Sequence, residues 1–290
     1  MATGVPGIRV GETLESFIDR QLRAPEAYRE RMSQAVESIV RHLQHMPNYS
    51  IKEVVKSGSL GKGTTVGNNA DADLVIFFNG YQTMEELIAA KPKIISDIST
   101  YMNRFDRSVF SACIKLRENG YLGQYKLKHI ATNTFVEVDI LPALDVVALR
   151  GSVEGVIEEM RYKPQIVRGH YSVCFCKEQL RLIRAKPAKV KDLIRLMKYW
   201  KNSNSLPIRS YCCEVVCLYV HDKFLGQQTN FNMKEGFNRV LRFLIETQTL
   251  HTVIDPMYYY NTRDWFSVFP TLQEAARIRQ VAKQTVAALG

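Results

Sequence analysis

Long apolar runs are missing from this 290-residue chain. None approaches the roughly 20 residues that a helix needs to cross a bilayer, which argues against a membrane-spanning protein. The opening Met1-Ala2-Thr3-Gly4-Val5-Pro6 lacks the basic-then-apolar pattern of a secretory signal, so an intracellular, cytoplasmic protein is expected. Cysteine is sparse and irregular. Cys113, Cys174, Cys176, Cys212, Cys213 and Cys217 lie inside apolar segments and do not form the framework of a small secreted domain, so reduced thiols are expected. Cys213, Cys217 and His221 recur every four residues along one helical face, but three ligands on one straight helix cannot wrap a tetrahedral ion, and they read as core. Acid is short relative to base, with 29 Asp and Glu against 39 Lys and Arg. The net charge of +10 favours a polyanionic partner without choosing between nucleic acid and a membrane surface. Internal repeats and low-complexity segments are also lacking. A 46% hydrophobic content suits one large core or two moderate ones.

What is present centres on the stretch from Ser57 to Phe78. A glycine- and hydroxyl-rich segment, Ser57-Gly58-Ser59-Leu60-Gly61-Lys62-Gly63-Thr64-Thr65, leads to Asp71 and Asp73, which open the apolar run Leu74-Val75-Ile76-Phe77-Phe78. In a strand, residues two apart share a face, so Asp71 and Asp73 point the same way. Like charges that close repel unless a cation lies between them, and a hard divalent ion such as Mg²⁺ accepts carboxylates together with phosphate oxygens. Apolar residues on both faces after Asp73 read as a strand covered on both sides. Gly58 and Ser59 would let backbone N–H groups and a hydroxyl approach phosphates, and Lys62 is near enough in sequence to reach phosphate or acceptor. The segment is not a Walker A loop, because Gly63 follows Lys62 where Ser or Thr is required.

Around this stretch, helical spacing runs from Thr13 to Leu43 with a break near Pro25, and Ile51 to Val55 alternates weakly. Thr83-Met84-Glu85-Glu86 resembles a capping box for a helix over 85–104, interrupted at Pro92. Val109–Leu116, Leu127–Ile130 and Thr134–Pro142 have strand character. The last places Phe135, Glu137, Asp139 and Leu141 on one face, so Asp139 is a third strand-borne carboxylate that converges on the first two if the strands are neighbours. Beyond Val153 strand signals thin. Glu178–Trp200 with a break at Pro187, Tyr211–Leu225, Lys234–Thr247 and Thr271–Leu289 read as helices. The expected architecture is α/β in two lobes. Residues 1–155 form a catalytic lobe with N-terminal helices and a twisted mixed or antiparallel sheet, and residues 156–290 form a helical lobe.

These blocks resemble the template-independent nucleotidyltransferases of the DNA polymerase beta superfamily and, within them, the 2′-5′-oligoadenylate synthetase family. Gly58-Ser59, Asp71, Asp73 and Asp139 match the family's signature. Val54-Val55-Lys56, Gly61-Lys62-Gly63-Thr64-Thr65, Val138-Asp139-Ile140-Leu141-Pro142-Ala143, Ile194-Arg195-Leu196-Met197-Lys198-Tyr199-Trp200 and Leu206-Pro207 with Tyr211 follow in family order over residues 13–245. The chain departs from the pattern at Ser210, where the family often has glutamine, and at Met257-Tyr258-Tyr259-Tyr260-Asn261 after Val253-Ile254-Asp255-Pro256.

The resemblance implies an ATP-polymerising nucleotidyltransferase that makes 2′-5′-linked oligoadenylates with release of pyrophosphate, activated by double-stranded RNA in antiviral, innate immune nucleic-acid sensing. Asp71, Asp73 and Asp139 would hold two Mg²⁺ ions. Gly58, Ser59, Lys62, Lys198 and Tyr211 would contact the nucleoside triphosphate. Lys56 and Arg184 occupy positions similar to the family's duplex-RNA contacts, and the basic run that includes Lys186, Lys189 and Lys191 extends that surface. A cyclic-dinucleotide synthase with the same metal site is the alternative. A catalytically silent nucleic-acid sensor is a third reading, which would predict loss of an acid that this chain retains. No oligomer is implied.

Overall fold

The computed structural model describes residues 4–68, 71–247 and 270–290, with Asp71 described by its backbone only. The segment 253–261, singled out above as a departure, lies outside the described residues. The chain separates into two compact units, residues 24–184 and residues 1–23 together with 185–290. The division falls 29 residues beyond the expected boundary at 155, and the N-terminal helix joins the C-terminal helices instead of the sheet unit.

In unit 24–184, helix α2 (Glu26–Gln44) starts at Pro25, whose fixed φ suits a helix start. Strands β1 (Ile51–Ser57), β2 (Asp71–Phe78), β3 (Phe110–Glu118), β4 (Gly123–His129) and β5 (Thr134–Ala143) form one sheet in the order β1-β2-β5-β4-β3. Only β2 and β5 run parallel, so the sheet is mixed. Parallel neighbours need a long crossover, which the chain supplies through α4 (Met84–Met102), β3 and β4.

One face of β4 and β5 carries Tyr125, Leu127, Val136, Val138 and Ile140, all buried. Helices α2 and α4 cover it, with Ser38 Oγ 3.3 Å from His129 Nε2. Helix α4 runs unbroken through Pro92. One proline removes a single helical donor, and burial of Leu87, Ile94, Ile95 and Ile98 outweighs that loss. Thr83 caps the helix by accepting from Glu86 N, but Glu86 returns its carboxylate to Gln82 N at 2.8 Å, one residue earlier than a capping box requires.

The glycine segment also differs from a loop. After Ser57 it forms a short helix, α3 (Gly58–Lys62), which ends at Gly63 in the left-handed conformation with φ 71°. Between β5 and residue 184, where no strand signal remains, lie α5 (Val146–Arg150), α6 (Val153–Arg161), α7 (Gln165–Tyr171), a 3₁₀ turn (Ser172–Phe175) and α8 (Cys176–Arg184). The 3₁₀ turn packs on β5, and α8 packs on β1 and α3, which is why the unit extends past 155.

In the second unit, α1 (Leu14–Phe17) and a π-helical turn (Ile18–Leu22) pack with α9 (Ala188–Ser203), α10 (Ser210–Phe224), α11 (Met233–Glu246) and α12 (Leu272–Leu289). Trp200 is fully buried and donates its indole N–H to Thr285 Oγ1 at 2.9 Å. Cys212, Cys213, Cys217 and His221 are buried, and none of the three cysteines is in a disulfide. His221 Nε2 lies 3.0 Å from the Gln228 carbonyl, and these residues are core, as the sequence indicates.

Candidate active site

The acid-bearing positions of β2 and β5 lie on the face of the sheet opposite α2 and α4. The parallel register of β2 and β5 sets Asp73 beside Asp139 and Asp71 beside Glu137. Directly opposed residues in a sheet project to the same side, so these four acidic positions share one face of two adjacent strands. Farther along β2 that face closes. Phe77 is fully buried, and the Lys177 ammonium of α8 lies 4.8 Å from its ring centre. Asp73 and Asp139, nearer the start of β2, are partly exposed.

Gly58 explains why a glycine stands at this corner. Its φ is +62°, and a Cβ there would fall 1.8 Å from Asp73 Oδ2. The Asp73 carboxylate therefore lies against the Gly58 backbone, with Ser57 of β1 in register with Asp73. Gly61 is similarly constrained, since a Cβ would fall 2.2 Å from the Lys56 carbonyl oxygen. Ser59 Oγ lies 3.4 Å from Thr65 Oγ1, and its carbonyl accepts from Thr64 N at 2.9 Å. A glycine turn seated on one carboxylate, with a second carboxylate position in register beside it, fits a hard cation shared with phosphate oxygens. Oxygen donors on two rigid strands supply the ligand type that Mg²⁺ takes.

Lys62 takes a different place from the phosphate contact that its sequence position implies. Its side chain is 6% exposed, and the ammonium donates to Gln179 Oε1 of α8 at 3.0 Å. Arg184, also on α8, donates Nε–H to the Gly61 carbonyl at 2.7 Å, and Leu180 lies against Gly61. Helix α8 thus grips the glycine turn at three points, a feature with no sequence signal because it pairs residues more than 110 positions apart. Lys56 donates to Glu37 Oε2 at 2.6 Å.

The remaining candidates belong to the helical unit. Lys198 of α9 is buried and ion-paired with Glu214 of α10 at 2.6 Å. Glu214 was not singled out from the sequence, although it follows Tyr211 by three residues and so shares its side of α10. Tyr211 is half-buried. The basic run is also provided with acids. Lys186 pairs with Asp222 at 2.8 Å, Lys189 pairs with Glu15 at 3.0 Å, and buried Asp192 accepts from Arg23 Nε at 3.1 Å and from Arg195 at 2.6 Å. Lys191 is partly exposed on the same helix. Among the described side chains no cluster of three or more His, Cys, Asp or Glu forms a metal centre, and the Asp71 carboxylate is not among those described.

Residues 154–274 match the family model described as 2′-5′-oligoadenylate synthetase 1, domain 2, C-terminus. The chain is 30% identical over 263 residues to 2′-5′-oligoadenylate synthase 3 of Mus musculus, covering 83% of this chain and 23% of that protein. It is 27% identical over 274 residues to 2′-5′-oligoadenylate synthase 1A of Rattus norvegicus, covering 87% and 76%. It spans only 23% to 37% of the first relatives it matches. Among solved structures, E. coli MS115-1 CdnC with ATP superposes with a TM-score of 0.64 at 16% identity, covering 95% of this chain and 90% of that one. The CdnE c-di-GMP synthase of Capnocytophaga granulosa gives 0.55 at 15%, covering 91% and 82%. By sequence the chain is similar to the 2′-5′-oligoadenylate synthases, and its fold is shared with CdnC and CdnE.

Proposed function

We propose that this protein joins ATP units into 2′-5′-linked oligoadenylates with release of pyrophosphate, and that double-stranded RNA activates it. The observation that carries the catalytic part is the parallel β2–β5 register, which sets Asp73 beside Asp139 with the Gly58 backbone against the Asp73 carboxylate. Asp71, Asp73 and Asp139 would hold Mg²⁺. When bound, the metal lowers the pKa of the acceptor hydroxyl and neutralises charge on the triphosphate and the departing pyrophosphate. The strands fix the carboxylates before substrate arrives, so little reorganisation is left for the reacting state. Gly58 and Ser59 present N–H groups and a hydroxyl to phosphate from a turn that no Cβ obstructs. Tyr211 offers a ring to the donor base, and Lys198, whose ammonium is paired with Glu214, is the companion contact that the resemblance implies.

For activation, Lys56 and Arg184 contact duplex phosphates. Arg184 bonds to the Gly61 carbonyl, so a ligand that draws on its guanidinium acts one bond away from the phosphate-binding turn. Lys186 and Lys189 become further phosphate contacts once duplex phosphates compete with Asp222 and Glu15, and Lys191 joins them. The chemical class of the 2′-5′-oligoadenylate synthases supports this reading.

The test incubates purified protein with each labelled nucleoside triphosphate and Mg²⁺, with and without duplex RNA, and digests the products with linkage-specific nucleases. Linear 2′-5′ adenylates, made faster with RNA, are expected. A phosphatase-resistant product without free ends would replace this reading with a cyclic-dinucleotide synthase.

A further inference from the structure

The face that bears the acids continues across β4 and β3 with a different chemistry. Register places Gln124 beside Asp139, Lys126 beside Glu137 and Lys128 beside Phe135. On β3, Arg117 lies opposite Gln124, and Ile114 opposite Lys126. Directly opposed residues share a face, so carboxylates occupy its β2–β5 half and cations its β4–β3 half. Phe135 is 52% exposed and Ile114 is 51% exposed, an unusual pair to leave open on a sheet. The Lys128 and Lys126 ammoniums lie 4.4 and 5.6 Å from the Phe135 ring centre. Lys126 spends one donor on Glu137, and Lys128 spends one on the Asn133 carbonyl. Each ammonium has three donors, so each keeps two for an incoming anion.

We infer that this open half of the sheet binds a single-stranded oligonucleotide, the growing acceptor chain, beyond the nucleotide that reacts. A strand rises about 3.3 Å per residue, so Phe135 stands about 13 Å from Asp139, and Arg117, two strands away, about 10 Å from it. The occupant follows from the chemistry of the face. Repeated negative charge suits Arg117, Lys126 and Lys128, and a flat apolar base suits Phe135 and Ile114. An exposed ring among cations is the pattern that holds single strands, whereas duplex RNA keeps its bases stacked inside and is read through its backbone. The inference rests on the nucleotidyltransferase reading for the identity of the strand as acceptor, but not for the binding itself.

The test measures fluorescence anisotropy of a fluorescein-labelled single-stranded oligoadenylate of about eight nucleotides, without donor nucleotide, on the full chain. Phe135→Ala is expected to weaken binding about tenfold or more, and Phe135→Tyr to restore it, since stacking on one ring is worth that much. Lys128→Gln and Arg117→Gln should each flatten the salt dependence by about 0.7 of a logarithmic unit. In the presence of ATP, Phe135→Ala should leave the rate of the first linkage unchanged and shorten the products. Equal affinity of wild type and Phe135→Ala for the oligonucleotide, or no binding by wild type, overturns the inference. So does duplex RNA that loses affinity in the same variants, because the face is then a duplex site. Ring-dependent oligonucleotide binding by a protein that releases no pyrophosphate from ATP keeps the surface and removes the catalytic reading. Turnover without ring dependence does the reverse.

Discussion

Asp145 sits 4% exposed just past β5, and its Oδ2 accepts from both Lys52 and Lys177 at 2.7 Å. Burial pushes its carboxyl up, yet the two ammoniums hold it below the ordinary range. A carboxyl depressed in the folded state adds stability above its unfolded pKa, and that stability is lost as pH falls through the folded value. Asp145→Asn leaves two lysines facing a neutral amide and is expected to cost about 3 kcal/mol, read from the denaturant midpoint at neutral pH. Asp73→Asn and Asp139→Asn are expected to behave oppositely. Each keeps its shape and fold but loses charge, so product formation should fall at least about a thousandfold with little change in the melting curve. Near wild-type turnover in either variant at saturating Mg²⁺ would remove that residue from the site. Lys91 presents a third case. It is 2% exposed on α4, 3.1 Å from His170 Nδ1, with the Tyr121 ring stacked on His170 at 4.5 Å. Burial pulls Lys91 down to about 8 and His170 down to about 4. Between about 8 and the unfolded lysine value the unfolded chain binds more protons, so stability should rise with pH across that window. Lys91→Met should abolish the rise and stabilise the protein at pH 7, which urea titrations at several pH values will show. The sequence marks a lysine in an apolar helix here, but not that its ammonium meets an imidazole.

At the scale of elements, α3 joins backbone strain to function. Gly58 carries a φ that L side chains rarely adopt, and its Cα lies against the Asp73 carboxylate. Gly58→Ala is expected to cost about 1–2 kcal/mol in stability for the backbone conformation alone. It should also displace Asp73 and lower nucleotide turnover by about a hundredfold or more, a loss out of proportion to the stability change. Steady-state pyrophosphate release set beside a thermal melt separates the two effects. A glycine before an Asp-x-Asp strand was legible in the chain. Its short helix was not, because five residues cannot display a helical period, and the turn is held by α8 from across the unit. Pro92 gave the opposite error, since a local rule predicted a break that packing of α4 overrides.

At the scale of the molecule, a net charge of +10 points to a polyanion, but the structure shows that much of the basic run already has acids to face. Lys56 and Arg184 both lie in unit 24–184, close to the glycine turn. The double variant Lys56→Glu, Arg184→Glu is expected to lower RNA-stimulated synthesis and RNA affinity together. The slope of binding against salt should flatten by up to about two logarithmic units. Unchanged stimulation in that variant would remove this face from RNA recognition. What the chain determined alone is local. Alternation and spacing specify where β2 and β5 run, proline and threonine specify where helices begin, and the order of acid-bearing blocks specifies the family it resembles. These are properties of residues a few positions apart, which a linear pattern records. Only the tertiary structure decided that β5 returns parallel beside β2 with Asp139 level with Asp73, 66 residues apart. It also decided that residues 1–23 join the C-terminal helices, and that the basic helix faces acids from distant segments. Register and ion pairing are set by burial of apolar faces shared between remote segments, and the free energy that selects them exists only once those faces meet.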